Sequence, residues 1–276
     1  MNLEELLRWY ADNRWYGAIL IGLLGLCVGS FLNVCIYRIP NKLSIRTPPS
    51  HCPDCKTRLT LADLVPVFSW VFLGGKCRHC GKKISPRYLA VELLTAGLFL
   101  LCWWQLPDLA NLLPALALTA VLVTCAFIDA EHTIVPNGTV LFGAVIGAAS
   151  ALLTGHPKWD DALLGALAGG APLFLIDVGS RLILRKDGMG GGDVKLMAMA
   201  GLYLGWRYSL LALLLAVVAG GLLGMVLLVT KTLKRGDYFP FGPFLAAGAF
   251  ASLLFGESII RLYQDFNNSM INMLAG

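Results

Sequence analysis

The chain has 276 residues, of which 57% are hydrophobic and only 14% are charged, and its formal net charge is +5. The mean hydropathy is +0.69. Several apolar runs are long enough to cross a ~30 Å hydrocarbon core as helices, which excludes an ordinary water-soluble enzyme. The composition predicts an all-α polytopic membrane protein.

Eight apolar segments are predicted to be transmembrane helices. Acidic residues in the first 13 positions, unlike the basic start of a cleaved signal peptide, predict that the first segment is retained. The segment 194–206 is short, because 13 residues rise only about 20 Å as a helix, so we expect a thinned membrane or a wet cavity beside it. The predicted bounds are 17–37, 88–104, 112–129, 138–154, 161–181, 194–206, 208–230 and 241–260.

Basic residues orient the predicted helices. Ten Lys/Arg lie in 38–87, four in 181–195 and three in 231–235, whereas the opposite side of the membrane would carry only five. The positive-inside rule then predicts an external N-terminus and three cytosolic basic loops. The positive charge is therefore attributed to topology and to contact with membrane lipids, with no nucleic-acid partner.

The first basic loop contains two C-x-x-C sequences, with 21 residues between them. Four thiolates in such a pattern are typical of a tetrahedral zinc site, and a loop of this size gains stability from a metal. We favour structural zinc over a catalytic metal, a redox pair or disulfides, and a cytosolic loop argues against disulfides. The four predicted ligands are Cys52, Cys55, Cys77 and Cys80.

Two aspartates stand where apolar runs meet short polar loops. Asp129 ends one run, and Asp193 follows Gly190-Gly191-Gly192 and opens another. Ionisable groups at membrane depth are costly and usually functional. Both would lie at the cytosolic face, and a pair of carboxylates can supply the acid and the base for peptide hydrolysis. The pattern predicts a protease with Asp129 and Asp193 as its catalytic pair.

Neighbouring residues are predicted to support this pair. The three glycines allow close backbone approach and leave amide groups beside Asp193. A nucleotide-binding loop is disfavoured because no β-strand precedes the glycines. Glu131 can orient Asp129 or assist substrate binding, and Lys195 is grouped with the glycines as a supporting residue.

The motifs together resemble those of the type IV prepilin peptidase family of intramembrane aspartyl proteases. The resemblance covers nearly the whole chain, and the order of the motifs makes it specific. One departure is Asp129-Ala130-Glu131, where the family commonly has Asp-x-Asp. The motifs in chain order are Gly29-Ser30-Phe31-Leu32-Asn33-Val34, the two cysteine pairs, Ser85-Pro86-Arg87-Tyr88, Phe127-Ile128-Asp129, Gly190-Gly191-Gly192-Asp193 with Val194-Lys195-Leu196, and Pro240-Phe241-Gly242-Pro243-Phe244.

The resemblance implies a reaction. Asp129 and Asp193 would share one proton across a water molecule that attacks the scissile carbonyl. The substrates would be prepilins or pseudopilins of a type IV pilus or a type II secretion system, cut at the cytosolic face of a bacterial inner membrane. Members of this family commonly also methylate the new N-terminal amine with S-adenosylmethionine. Arg87 and Glu92 are candidate contacts for that donor, although they can instead pair with each other.

The chain is divided into four predicted regions: an N-terminal segment with the first helix (1–37), a zinc-binding domain (38–87), a protease core (88–260) and a tail (261–276). A membrane transporter or a zinc-loop scaffold is the alternative. A transporter would usually show internal repeats with paired broken helices near the bilayer midplane, whereas these two aspartates are predicted at one face. A scaffold would not need an aspartate behind a glycine run.

Overall fold

The computed structural model describes residues 14–184, 190–232 and 239–275, so the prediction about the first 13 residues lies outside it. Seven of the helices in these ranges are long and apolar enough to cross a membrane. A 3-10 turn, Leu61–Leu64, precedes a short helix, Phe68–Phe72. The described ranges contain isolated β-bridges but no strand. The predicted all-α, multi-pass membrane fold is confirmed. The helices are α1 (Arg14–Arg38), α2 (Phe68–Phe72), α3 (Arg87–Gln105), α4 (Leu109–His132), α5 (Asn137–Thr154), α6 (Trp159–Leu184), α7 (Gly191–Val229) and α8 (Gly242–Ala275).

The predicted spans 194–206 and 208–230 both lie within α7, which is broken at Gly205. This residue has φ 71° and ψ 173°, a conformation that favours glycine, and a Cβ there would collide with the carboxylate of Asp161. The Asp161 carboxylate accepts a hydrogen bond of 3.1 Å from the N–H of Trp206. Asp161 therefore caps the part of α7 that follows the break. The other six predicted spans coincide with single helices.

The chain forms two compact units, residues 1–112 and 113–276. In the first unit, α1 and α3 pack through glycines four residues apart on α1. A Cβ at Gly25 would lie 2.6 Å from the Cα of Ala96, and one at Gly29 would lie 2.8 Å from the Cα of Glu92. Such small-residue contacts are how membrane helices approach each other closely. The loop between these two helices carries the four predicted zinc ligands.

The second unit is held together by the same kind of contact. A Cβ at Gly165 of α6 would collide with the backbone of Gly201 of α7, and one at Gly169 with the backbone of Met197. Helix α8 approaches α7 in the same way at Gly248. Buried apolar side chains fill the space between α4, α7 and α8, among them Leu118, Leu122, Leu196, Met197 and Leu245.

The C-terminal segment, whose conformation the sequence leaves open, continues α8 as far as Ala275. Its side chains from Glu257 to Met273 are mostly exposed, so few of them contribute to the core of the second unit.

Candidate functional site

The two predicted catalytic aspartates line one cavity in the second unit. Asp129 stands in the last turn of α4 and is 2% exposed, and Asp193 stands in the first turn of α7 and is 4% exposed. The cavity has a volume of about 220 Å³. Its lining residues are Asp129, Thr133, Ile134, Val135, Gly190, Gly192, Asp193 and Lys195.

The structure gives the three glycines different roles. A Cβ at Gly192 would lie 2.8 Å from the Cβ of Val135, so the first turn of α7 touches the α4–α5 connection only because this residue is glycine. A Cβ at Gly191 would meet nothing within 4 Å. Gly190 lies just before α7, and its carbonyl accepts the N–H of Asp193 at 3.0 Å. The site therefore has space for a side chain at the middle position of a Gly-x-Gly-Asp sequence.

Sequence reasoning missed the role of Gly242 at the start of α8. Its N–H donates a hydrogen bond of 2.9 Å to the Oδ2 atom of Asp129, and this contact is buried. A Cβ on Gly242 would lie 2.7 Å from the same oxygen. A glycine between Pro240-Phe241 and Pro243 was a visible signal, because a proline-flanked glycine at a helix start suggests that backbone must approach another group.

Two other charged residues near the pair are placed differently. Lys195 lines the cavity and donates a hydrogen bond of 3.0 Å to the side chain of Asn137 at the start of α5. Glu131 is exposed on the last turn of α4 and is not among the residues that line the cavity.

The four predicted zinc ligands lie together in the first unit. Their sulfur atoms are all within 4.8 Å of one another, with Cys52–Cys80 at 3.9 Å and Cys55–Cys77 at 4.0 Å. Four sulfurs around a tetrahedral zinc at 2.3 Å would be about 3.8 Å apart. A disulfide would need about 2.05 Å. The arrangement therefore fits a metal ion and not a pair of disulfides.

The turns that carry the cysteines repeat one local structure. The N–H of Cys52 bonds the carbonyl of Thr57 at 3.0 Å, and the N–H of Cys77 bonds that of Lys82 at 2.8 Å. Hydrogen bonds from the side chain and backbone of Thr57 lower the pKa of Cys55 to about 6. The pKa of Cys80 moves the other way: a backbone hydrogen bond from Lys82 lowers it, but burial and the neighbouring cysteines outweigh that bond and raise it to about 11. Since zinc binds thiolates, metal binding would release protons from this cluster.

Two ion pairs brace this part of the loop. Lys82 bonds Asp54 at 2.7 Å and so joins the two cysteine turns. Arg78 bonds Asp63 of the 3-10 turn at 2.7 Å. The loop is therefore held by polar contacts and the cysteine cluster more than by an apolar core.

The residues considered for a methyl donor lie in the first unit. The buried carboxylate of Glu92 accepts the N–H of Val67 at 2.7 Å and a hydrogen bond from the side chain of Ser30. The guanidinium of Arg87 lies 5.3 Å from the ring centre of Tyr88.

These features define a class of protein: a multi-pass membrane protein with a buried carboxylate pair at the ends of its helices and a four-cysteine cluster in a loop. The comparisons with known families agree. The family described as Bacterial Peptidase A24 N-terminal domain matches residues 23–106, and the Type IV leader peptidase family matches residues 116–225. The chain belongs to the type IV leader peptidase family, as its motifs predict.

Curated relatives extend the match over most of the chain. A protein of Aeromonas salmonicida (strain A449) is 35% identical over 274 residues, covering 90% of this chain and 94% of its own. One of Bacillus subtilis (strain 168) is 37% identical over 241 residues, covering 87% and 95%. Both are named prepilin leader peptidase/N-methyltransferase, as is a Pseudomonas aeruginosa protein 34% identical over 267 residues, covering 88% and 92%. No solved structure matches the chain significantly.

Proposed function

We propose that this chain is a membrane aspartyl endopeptidase that removes the leader peptide from type IV prepilins or pseudopilins and methylates the new N-terminus. One observation carries the peptidase proposal: Asp129 and Asp193, both buried, line the same cavity of about 220 Å³. Such a cavity has room for a water molecule, which occupies about 30 Å³, beside a peptide group. Neither the transporter nor the scaffold alternative is supported by the family match.

The hydrogen bonds of the pair favour a division of roles. The carboxylate of Asp129 accepts the N–H of Gly242 at the start of α8, and this hydrogen bond stabilises a negative charge on Asp129. We assign Asp129 as the ionised member and Asp193 as the protonated member, since two adjacent carboxylates resist ionising together.

The reaction then follows from these charges. Ionised Asp129 takes a proton from the water while the water oxygen attacks the scissile carbonyl. Asp193 donates a hydrogen bond to the carbonyl oxygen as negative charge develops there. When the C–N bond breaks, the proton held by Asp129 passes to the leaving amine. We propose that Gly190, Gly192 and Lys195 support this site, and that Gly191 supports it only as a position with open space around it. We propose that Glu131, which is exposed and does not line the cavity, assists substrate binding.

We propose zinc as the ion bound by Cys52, Cys55, Cys77 and Cys80, because the sulfur spacing fits a tetrahedral site. All four positions are filled by thiolates, so zinc would stabilise the loop and would not bind substrate.

We also propose the division of the chain into the four predicted regions, 1–37, 38–87, 88–260 and 261–276.

Methyl transfer rests on the names of the relatives. S-adenosylmethionine would supply an electrophilic methyl group to the new N-terminal amine. The Glu92 carboxylate is occupied by Val67 and Ser30 and fits a structural role better than a donor contact, which leaves Arg87 as the candidate.

We place the protein in a bacterial inner membrane, with its N-terminus outside and with the acid pair and the cysteine loop on the cytosolic side. The distribution of basic residues supports this orientation. A pilus or a type II secretion system would provide the substrates.

The direct test is mass spectrometry of a prepilin incubated with the lipid-reconstituted chain, with and without S-adenosylmethionine. We expect loss of the leader in both reactions and a methyl-sized mass gain only with the donor. Cleavage without the gain would refute methyl transfer alone. No cleavage of any prepilin in a panel would refute the peptidase.

A further inference from the structure

The loop of the first unit carries an exposed apolar surface that the proposed peptidase does not use. Six large apolar side chains between Leu61 and Phe72, in the 3-10 turn, in α2 and at Val65 between them, are exposed, from 38% to 87%. The 3-10 turn and α2 contact each other, so these side chains belong to one short surface segment, the loop patch. This loop patch consists of Leu61, Leu64, Val65, Phe68, Val71 and Phe72.

The loop patch is exposed although the opposite side of its segment packs against the rest of the loop. Trp70 points to the other side of α2, where a Cβ on Gly75 would lie 2.7 Å from its ring, and its Nε1 donates to the carbonyl of Ile84 at 3.4 Å. The rings of Phe68 and Phe72 stack with their centres 6.5 Å apart on the outer side. The segment thus has an inner side that packs onto the loop and an outer apolar side that the described residues leave exposed.

One hydrogen bond fixes the level of the loop patch relative to the membrane helices. The N–H of Val67, directly before α2, donates to the Glu92 carboxylate at 2.7 Å. Glu92 is five residues into α3, about 7.5 Å from its start. The 19 residues of α3 span about 28 Å, nearly the thickness of the hydrocarbon core, so Val67 lies at the depth of the first two turns of α3 and not beyond its end. Helix α2, which begins directly after Val67, is therefore held close to the membrane boundary.

The backbone at Val67 shows that this position is enforced. Val67 has φ 63°, a conformation that a β-branched residue rarely adopts. Such strain persists only where the surroundings fix the chain. Three hydrogen bonds fix the backbone here: the N–H of Val67 donates to Glu92, the N–H of Phe68 to the carbonyl of Pro66 at 2.6 Å, and the N–H of Val71 to the carbonyl of Val67 at 3.0 Å.

The charge around the loop patch fits a lipid surface. Residues 38–87 contain ten Lys/Arg and two acidic residues. Both acids, Asp54 and Asp63, are bound in ion pairs with Lys82 and Arg78. An apolar surface in a loop with excess positive charge is what interfacial segments present to anionic membranes.

We infer that the loop patch inserts into the boundary between headgroups and acyl chains of an anionic membrane and holds the cysteine cluster against the lipid surface. This inference does not depend on the peptidase activity. A prepilin helix or a second copy of this chain are the other occupants that an experiment must separate from lipid.

The test is photo-crosslinking in nanodiscs of phosphatidylcholine and phosphatidylglycerol, with p-benzoylphenylalanine in place of Phe72. The control carries the same group in place of His79, an exposed residue in a cysteine turn. Zinc content shows that each protein is folded. We expect lipid adducts at position 72 several-fold above those at 79. Adducts to a second copy or to an added prepilin peptide instead, or lipid adducts no higher than at 79, would overturn the inference.

A second variant checks that the patch acts as a unit. With the crosslinker at Val71, the double change Phe68→Ser and Phe72→Ser should lower the yield of lipid adducts several-fold at unchanged zinc content. An unchanged yield would mean that position 71 meets lipid without insertion of the patch, which also contradicts the inference.

Discussion

The cysteine cluster and the aspartate pair are built in opposite ways. The four cysteines fall within residues 52–80, and hydrogen bonds between near neighbours shape both turns that carry them. The aspartates stand 64 positions apart, and Gly242, which bonds one of them, is 113 positions from it. The cluster is a local structure that a metal can complete, whereas the pair exists only when α4, α7 and α8 are packed.

This difference separates the consequences of mutation. A lost cysteine should damage the loop and leave the second unit folded. A small displacement of a helix end in the second unit should leave the fold intact and reduce catalysis, because a shift of about 1 Å at a reacting group can cost about 10²-fold in rate.

The largest expected effect is on metal content. Cys77→Ser removes one of four ligands, so bound zinc should fall from one per chain toward none, measured by a colorimetric chelator after purification. Cleavage of the leader should survive, since the aspartates lie in the other unit. Cys27→Ser, which changes an exposed cysteine outside the cluster, should keep its zinc. Equal zinc in both variants would contradict the site.

The next effect concerns the glycine run. Gly192→Ala places a methyl group 2.8 Å from Val135 and should push the first turn of α7 away, lowering kcat/KM for leader cleavage by about 10²-fold. Gly191→Ala adds the same methyl group in open space, so its activity should stay near that of the wild type. Similar losses in the two variants would show that glycine flexibility, and not the Val135 contact, is what the site requires.

A similar pair tests the bond to Asp129. Gly242→Ala should lower kcat/KM by about 10-fold to 10²-fold, because its Cβ would lie 2.7 Å from the Asp129 carboxylate and displace the donor. Gly138→Ala is the matched control, as it also alters the first turn of a helix but meets nothing within 4 Å. Wild-type activity in Gly242→Ala would remove Gly242 from the site.

The smallest expected effect is on the rate at which the cysteine loop releases zinc. Bonds from the side chain and backbone of Thr60, with Arg78, lower the pKa of Asp63 to about 2. Because this is below the ordinary value of about 3.9, the stabilisation is present above pH 4 and is lost as pH falls from about 4 to about 2. Asp63→Asn should therefore speed zinc release to a chelator modestly and by the same factor at pH 6 and pH 8. The Asp63 side chain is nearly buried, but its partner Arg78 is half exposed, and such an ion pair contributes at most about 1 kcal/mol. A factor that differs strongly between the two pH values would contradict this assignment.

Local patterns made much of this molecule predictable. Apolar runs gave the membrane helices, and the spacing of the cysteines gave the cluster, because both depend on residues close together in sequence. The break in α7 was also predicted, as two spans separated near 207, although the structure shows a single glycine at 205 in place of a loop.

Contacts between distant helices could not be predicted. Nothing near Gly242 in the sequence shows that its N–H meets Asp129, and the same holds for Gly192 and Val135. The Glu92–Val67 bond was missed for another reason, since a buried acid in a span suggests a charged partner and not a backbone N–H from a loop. Packing of small residues, which brings these groups together, leaves only weak traces in one sequence.

The most direct test of the account measures whether the two aspartates act as one unit. Leader removal by lipid-reconstituted protein would be compared for Asp129→Asn, Asp193→Asn and the double variant. Asp177→Asn is the control, because Asp177 is also buried in the second unit but pairs with Arg181 and does not line the cavity. We predict that each single change lowers the rate by at least about 10³-fold, that the double change lowers it no further, and that the control still cuts. Retained cleavage in either folded single variant, or losses that multiply in the double variant, would contradict a shared catalytic pair.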